Sequence, residues 1–225
     1  LEVKFRKMSQ LYLKFPFKKN YLERDFYVSS SNYEAYKLID NYPNWPGSKI
    51  NLYGPSGCGK TYLANILDKK VSLIIIKSNL IDEKILSKID KVDCVILDDF
   101  ENKNDEEFFY TLINYLSQNN KHLIINSTKP ISEYNVKLPD LKSRLSSFIQ
   151  IGIGLPNDDL LRIIISKTFS DKQIDLNERN FEYIIKNIDR SYEKIIKFIN
   201  DVDNESLSSG KTINIKLIKK ILLNE

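Results

Sequence analysis

The sequence predicts an α/β fold, a five-stranded parallel sheet flanked by helices, followed by a small all-helical domain. Three observations carry this prediction. Five short apolar runs, at residues 50–53, 71–77, 94–98, 123–126 and 148–151, are separated by stretches with helical periodicity. The central runs are nearly continuous in apolar residues rather than alternating, which marks strands covered on both faces and hence a parallel sheet between helix layers. After Gly154-Leu155-Pro156 the strand signal stops and amphipathic helical patterns follow.

The elements follow in order. Residues 1–24 are polar and aromatic around Pro16, without a helical period or a secretory apolar core, and read as an N-terminal arm. From Asn32, the spacing of Ala35, Tyr36, Leu38 and Ile39 predicts a first helix, closed by a turn at 43–47 that contains Trp45 and Pro46. The strand at 50–53 leads into a glycine-rich turn and a helix starting near Lys60. A β-rich run at 71–77 precedes a helix expected over 80–89, and 94–98 is an apolar strand ending in two carboxylates. Asp105-Glu106-Glu107 places negative charge at the start of a helix whose inner face is Phe109, Leu112, Ile113 and Leu116. The strands at 123–126 and 148–151 complete the sheet. Three or four helices are expected beyond it, at 158–168, 178–188, 191 to about 207, and 214–223. The expected domains are an arm at 1–24, an α/β domain at 25–156 and a helical lid at 157–225.

Composition narrows the function classes. With 225 residues and 42% hydrophobic content, the chain can bury a substantial core. Cys58 and Cys94 are its two cysteines, which excludes a disulfide framework and fits a reducing, cytoplasmic setting. His122 is the single histidine, so a four-ligand Cys/His zinc site is excluded. No apolar stretch approaches the roughly 18 residues needed to span a bilayer, so no membrane role is expected. The charge of +4, from 34 basic and 30 acidic residues scattered along the chain, predicts direct DNA contact that is weak or absent.

The strongest chemical signal is Gly54-Pro55-Ser56-Gly57-Cys58-Gly59-Lys60-Thr61 between a predicted strand and a predicted helix. Glycines let backbone N–H groups converge on phosphate oxygens, and the helix start adds its positive end. Lys60 then neutralises the β- and γ-phosphates of a nucleotide, and the Thr61 hydroxyl is placed to ligate Mg²⁺. These eight residues, with Tyr62 after them, form the expected phosphate-binding set, in which Cys58 is a small spacer. Asp98, at the end of an apolar strand, is the expected second metal ligand. Asp99 is the candidate for polarising a water, and because it is one methylene shorter than glutamate, slow hydrolysis is expected. Asn126, Ser127 and Thr128 end the next strand, where a polar side chain can touch the γ-phosphate or the attacking water. Spacing alone does not choose among the three, and a turn role before Pro130 competes for each. Arg144, in Leu141-Lys142-Ser143-Arg144-Leu145, offers a guanidinium that suits spread phosphoryl charge or, equally, an ordinary salt bridge.

Taken together, the phosphate loop, the Val95-Ile96-Leu97-Asp98-Asp99 strand, the polar strand end and the Leu-Lys-Ser-Arg segment resemble the AAA+ superfamily, and within it the DnaA family of replication initiators. Residues 25–32, Asp-Phe-Tyr-Val-Ser-Ser-Ser-Asn, are similar to the segment that wraps adenine in that family. The resemblance covers about residues 22–225. It implies ADP or ATP with Mg²⁺ as cofactors, Tyr27 and Val28 at the base, catalytic roles for Asp99 and Asn126, and Arg144 as an arginine finger acting in trans on a neighbour's ATP.

Two departures suggest a branch of the family. No helix-turn-helix follows the lid, so a complete initiator is not expected. Before the module, Gln10-Leu11-Tyr12-Leu13-Lys14-Phe15 resembles the clamp-binding peptide of Hda-type regulators, with Gln10, Leu11, Leu13 and Phe15 as its anchors. The alternative for this arm is packing on its own domain. In the lid, Glu193 falls where relatives carry a nucleotide-sensing arginine, and Arg190 lies about one turn earlier. Either Arg190 substitutes or lid sensing is weakened. The expected function is therefore a regulator of replication initiation with the DNA polymerase sliding clamp and the DnaA initiator as partners, a homodimer remaining open. The alternatives are a DNA-remodelling or helicase-loading ATPase and a nucleotide-locked adaptor.

Overall fold

The computed structural model of the chain describes residues 22–81, 85–101, 105–209 and 213–223. The expected clamp-binding residues Gln10, Leu11, Leu13 and Phe15 lie outside these. The described chain divides into two compact units, one ending at Leu160 and the other beginning at Leu161.

The first unit is a five-stranded sheet of β1 (Lys49–Tyr53), β2 (Leu73–Lys77), β3 (Cys94–Phe100), β4 (His122–Ser127) and β5 (Ile149–Gly152), in the spatial order β2-β3-β4-β1-β5. All neighbouring strands are parallel. Its helices are α1 (Tyr33–Asp40), α2 (Lys60–Leu67), α3 (Leu86–Ile89), α4 (Glu106–Gln118) and α5 (Pro139–Ser146). The predicted fold class is the observed one. The inner strands account for the continuous apolar runs: Cys94 to Leu97 and Leu123 to Ile125 are all buried, whereas edge strand β5 alternates half-buried and exposed residues. Each side chain fully buried in this way contributes roughly 1.5–3 kcal/mol.

Helix α4 forms where its sequence says. The Asp105 carboxylate accepts hydrogen bonds from the N–H groups of Glu107 (2.9 Å) and Phe108 (3.3 Å), capping the helix. Phe109, Leu112, Ile113 and Leu116 are its buried residues, packed with Val95, Leu97, Leu123 and Ile125.

Two stretches differ from expectation. The helix expected over 80–89 is described as a 3-10 turn at Ser78–Leu80 and the four-residue α3, and Ile81 between them is extended (φ −75°, ψ 121°). Ile81, Ile85 and Ile89 recur every four residues, which imitates a helix face, and Ile85 and Ile89 are buried in the core while Ile81 is extended. Strand β2 begins two residues later than expected because the Ser72 carbonyl turns to accept from the N–H groups of Asp93 (2.9 Å) and Cys94 (3.2 Å).

The second unit holds most of α6 (Asp158–Asp171), with α7 (Glu178–Asn187), α8 (Tyr192–Ser209) and α9 (Ile215–Leu223). Leu161, Ile165, Ile184, Ile195, Phe198, Val202 and Ile218 form its core. Among the described residues, no helix is long and apolar enough to cross a membrane.

Candidate functional site

Because β3, β4 and β1 are adjacent and parallel, their carboxyl ends bring Asp98, Asn126 and the turn after Tyr53 to one edge of the sheet. Ligands of open α/β sheets bind at that edge. The Gly54 N–H donates to the Ser127 carbonyl (3.1 Å), which ties the turn to the end of β4. A Cβ on Gly54 would lie 2.4 Å from the Ile153 carbonyl oxygen, so only glycine fits there. Gly59, at φ 102°, is the residue before α2 and supplies no side-chain cap. The first N–H groups of α2 therefore remain available to an anion.

Lys60 is only 8% exposed, and its Nζ donates to the carbonyls of Gly54 (2.7 Å) and Pro55 (3.0 Å). Its ammonium is thus held over the loop by flexible backbone carbonyls rather than by a carboxylate. The Cys58 thiol lies 3.6 Å from the same Nζ. That basic neighbour is not evident from the sequence, yet burial pushes the thiol pKa up and outweighs the pull of Lys60, so Cys58 is a spacer rather than a nucleophile.

Asp98 is the hub of the site. One carboxylate oxygen accepts from Thr61 Oγ1 (2.8 Å), the other from Asn126 Nδ2 (2.9 Å). Asp98 is 6% exposed and Asn126 is completely buried. The remaining amide oxygen of Asn126, Oδ1, is the only buried side-chain nitrogen or oxygen atom among the described residues without a hydrogen-bond partner. An unpaired buried acceptor costs about 1–3 kcal/mol, so the site favours a ligand or hydrated ion that brings a donor to this atom. No group of three or more His, Cys, Asp or Glu side chains suited to a metal occurs among the described residues. The two oxygens of Thr61 and Asp98 instead suit Mg²⁺, which takes one or two protein ligands beside phosphate and water.

Of the three polar residues ending β4, Asn126 meets Asp98. The Ser127 hydroxyl accepts from Asn51 Nδ2 (2.8 Å) and donates to the Lys129 carbonyl (2.7 Å), and Thr128 is exposed. Asp99 is exposed and has φ 54°, within an irregularity of register between Leu97 and Phe100. Its carbonyl accepts from the Ser78 hydroxyl (2.8 Å), which anchors this turn of the backbone.

The 25–32 segment folds as a small clamp. Asn32, 3% exposed, donates through Nδ2 to the Tyr27 carbonyl (2.9 Å) and accepts at Oδ1 from the Ser29 N–H (2.7 Å). Tyr27 and Val28 are left 37% and 43% exposed. Phe26 binds this segment to the phosphate loop. Its ring is 3.1 Å from where a Cβ on Gly59 would be, stacks on Tyr36 (centroids 5.9 Å apart) and meets Tyr62 (5.5 Å). The Tyr62 hydroxyl donates to the Leu22 carbonyl (2.7 Å). Phe26, Tyr36 and Asn32 were not among the site residues expected from sequence. Phe26 and Asn32 nevertheless lie within the 25–32 segment singled out by sequence, whereas nothing local to Tyr36 points to it.

Arg144 is exposed in the last turn of α5, five residues before the start of β5, and Ile149 pairs with Ile50 near the beginning of β1. The Lys49 ammonium, which opens β1, has its pKa lowered by burial and further by the Arg144 charge. Arg144 therefore stands at the opposite end of β1 from Gly54, and five strand residues span about 16 Å. Arg190 is exposed in the turn before α8, and Glu193 is exposed in the first turn of that helix.

A family model described as RNA helicase matches residues 50–130. Among curated proteins, the chain is 27% identical over 261 residues to the chromosomal replication initiator protein DnaA of Borrelia turicatae (strain 91E135) and 29% identical over 263 residues to that of Borreliella afzelii (strain PKo). Each match covers 92% of this chain and 54% of the relative, so the chain spans about half the length of the curated relatives it matches. Domain III of the Thermotoga maritima replication initiation protein DnaA superposes with a TM-score of 0.73 at 19% identity, covering 93% of this chain and 98% of that one. The replication initiator DnaA bound to AMPPCP and single-stranded DNA gives a TM-score of 0.62 at 21% identity over 79% of this chain and 62% of that one. The chain has the fold of DnaA domain III and is similar in sequence to about half the length of the initiators.

Proposed function

We propose that this chain is an adenine-nucleotide-binding AAA+ module of replication initiation whose site holds ADP or ATP with Mg²⁺. The observation that carries the proposal is the Asp98 hub, with Thr61 and Asn126 bonded to its two oxygens beside a phosphate loop and an amide oxygen awaiting a donor. In this reading backbone N–H groups of the glycine-rich loop and of the start of α2, with the Lys60 ammonium, hold the phosphates. Thr61 and Asp98 hold the metal, and Tyr27 and Val28 cover the base. Mg²⁺, when bound, supplies positive charge to the phosphoryl oxygens. Asp99 takes a proton from water, Asn126 orients that water, and burial of Asn126 and Asp98 keeps bulk solvent from competing. The AMPPCP bound to the similar initiator supports the choice of an adenine nucleotide.

At the finer level, we propose a regulator that docks on the sliding clamp through Gln10, Leu11, Leu13 and Phe15 and stimulates hydrolysis of ATP on the DnaA initiator through Arg144. The exposure of Arg144 and its position at the far end of β1 from the chain's own phosphate loop support action on a neighbouring molecule. The test is hydrolysis of initiator-bound ATP in the presence of clamp loaded on DNA. The intact chain should accelerate it, and Arg144→Ala should abolish the acceleration while leaving clamp binding intact. Full stimulation by that variant rejects the finger. A rise in the chain's own hydrolysis with single-stranded DNA, and no effect on the initiator, would favour the DNA-remodelling alternative.

A further inference from the structure

Asn51 is a fully buried amide in the middle of β1, where both neighbours along the strand, Ile50 and Leu52, are apolar and buried. An apolar residue would serve burial alone better, since a buried amide is tolerated only when its hydrogen bonds are made. All are made here, and all to one segment. Nδ2 donates to the Ile125 carbonyl (2.9 Å) and to Ser127 Oγ (2.8 Å), and Oδ1 accepts from the Ile131 N–H (2.9 Å).

Two of these partners are the residues immediately before and after Asn126. The Ser127 carbonyl also receives the Gly54 N–H, and its hydroxyl passes a further hydrogen bond to Lys129. The backbone on either side of Asn126 is thereby pinned to the strand that carries the phosphate loop. Asn126 itself has a single side-chain partner, Asp98. Its direction is therefore set by how its backbone is held.

We infer that Asn51 is a positioning residue: by bonding the residues on both sides of Asn126, it fixes the Asn126 amide against Asp98 and aims Oδ1 into the nucleotide site. The functional part of this inference rests on the proposed nucleotide reading; the positioning part does not. Without Asn51, Ser127 and Ile131 lose partners, the loop at 127–131 relaxes, and the Asn126 amide is positioned only by the sheet ladder and by Asp98. Binding of a nucleotide changes little, because residues 25–32 are held by their own contacts and the backbone bond from Gly54 to Ser127 does not involve the Asn51 side chain.

The test uses the full chain with ¹⁵N-labelled asparagine. In the ligand-free protein, Asn51→Leu should shift the Asn126 side-chain amide resonance towards its solvent value and speed its hydrogen exchange. Ser127→Ala, which removes only one link, should do so to a smaller extent and serves if the leucine variant does not fold. With Mg²⁺ present, calorimetry should show ADP affinity within about twofold of the parent and ATP hydrolysis lower by about tenfold, the equivalent of one net hydrogen bond at the site. On an Asn126→Ala background, Asn51→Leu should cost no further hydrolysis, while its cost in thermal stability persists. An unchanged Asn126 resonance in a folded variant overturns the inference, as does a hydrolysis loss that multiplies in full on the Asn126→Ala background. If the parent binds no nucleotide, the proposed function fails, and the resonance still decides the positioning claim.

Discussion

His122 shows how one residue makes the fold sensitive to pH far from the site. It opens β4 and meets the rings of Tyr42 (5.5 Å) and Trp45 (5.0 Å), the latter anchored by its indole N–H to the Leu38 carbonyl (2.7 Å). Burial lowers the imidazole pKa from 6.5, and the Asp93 charge offsets this only in part. The unfolded chain therefore takes up the proton first. Stability is complete above about pH 6.5 and is lost as pH falls from there towards the lower folded value. Urea titrations from pH 7.5 to 5, followed by the fluorescence of Trp45, the chain's single tryptophan, should show this loss, and His122→Phe should reduce it. At the loop, Gly54→Ala forces a Cβ against the Ile153 carbonyl and should cost about 1–3 kcal/mol in thermal stability while weakening nucleotide binding. Much at this scale was legible. Lys60, Thr61 and Asp98 announce themselves by motif, and Asn32 falls in the 25–32 segment, whereas Asn51 does not, since a buried amide in a strand reads as an ordinary polar residue until its partners are known.

At the scale of elements, legibility follows how much of a segment's burial is local. Helix α4 carries its own cap and a complete inner face, so sequence sufficed. Helix α5 carries a motif but little helical signal of its own, because only Leu141 and Leu145 are buried among charged neighbours, and Pro139 starts it. Its stability is borrowed from α4 and the turn at Ile131–Glu133, against which it packs. The helical unit depends instead on its own core, in which Phe198 of α8 is fully buried beside Ile165, Ile184 and Ile218. Phe198→Ala should cost about 3–5 kcal/mol, seen as a lower unfolding midpoint by calorimetry. If that unit unfolds on its own, the variant should split the transition rather than shift the whole of it.

At the scale of the molecule, function depends on sheet order. The sequence names five strands but not their sequence across the sheet, and the approach of Lys60, Asp98 and Asn126 follows from β1, β4 and β3 being neighbours. Strand direction rather than order separates Arg144 from the chain's own phosphate loop, since Arg144 lies towards the beginning of β1 and the loop follows its end. Deleting residues 8–15 should abolish clamp binding in a pull-down while leaving the unfolding midpoint unchanged; retained clamp affinity would remove the arm from the account. The whole proposal turns on nucleotide occupancy at the Asp98 hub. Titration calorimetry of the full chain with ADP and with a non-hydrolysable ATP analogue, in Mg²⁺, tests it most directly. Saturable binding at one site per chain, weakened at least about tenfold by Lys60→Ala without loss of folding, is the predicted result. No binding by the parent chain, or equal binding by the variant, contradicts it.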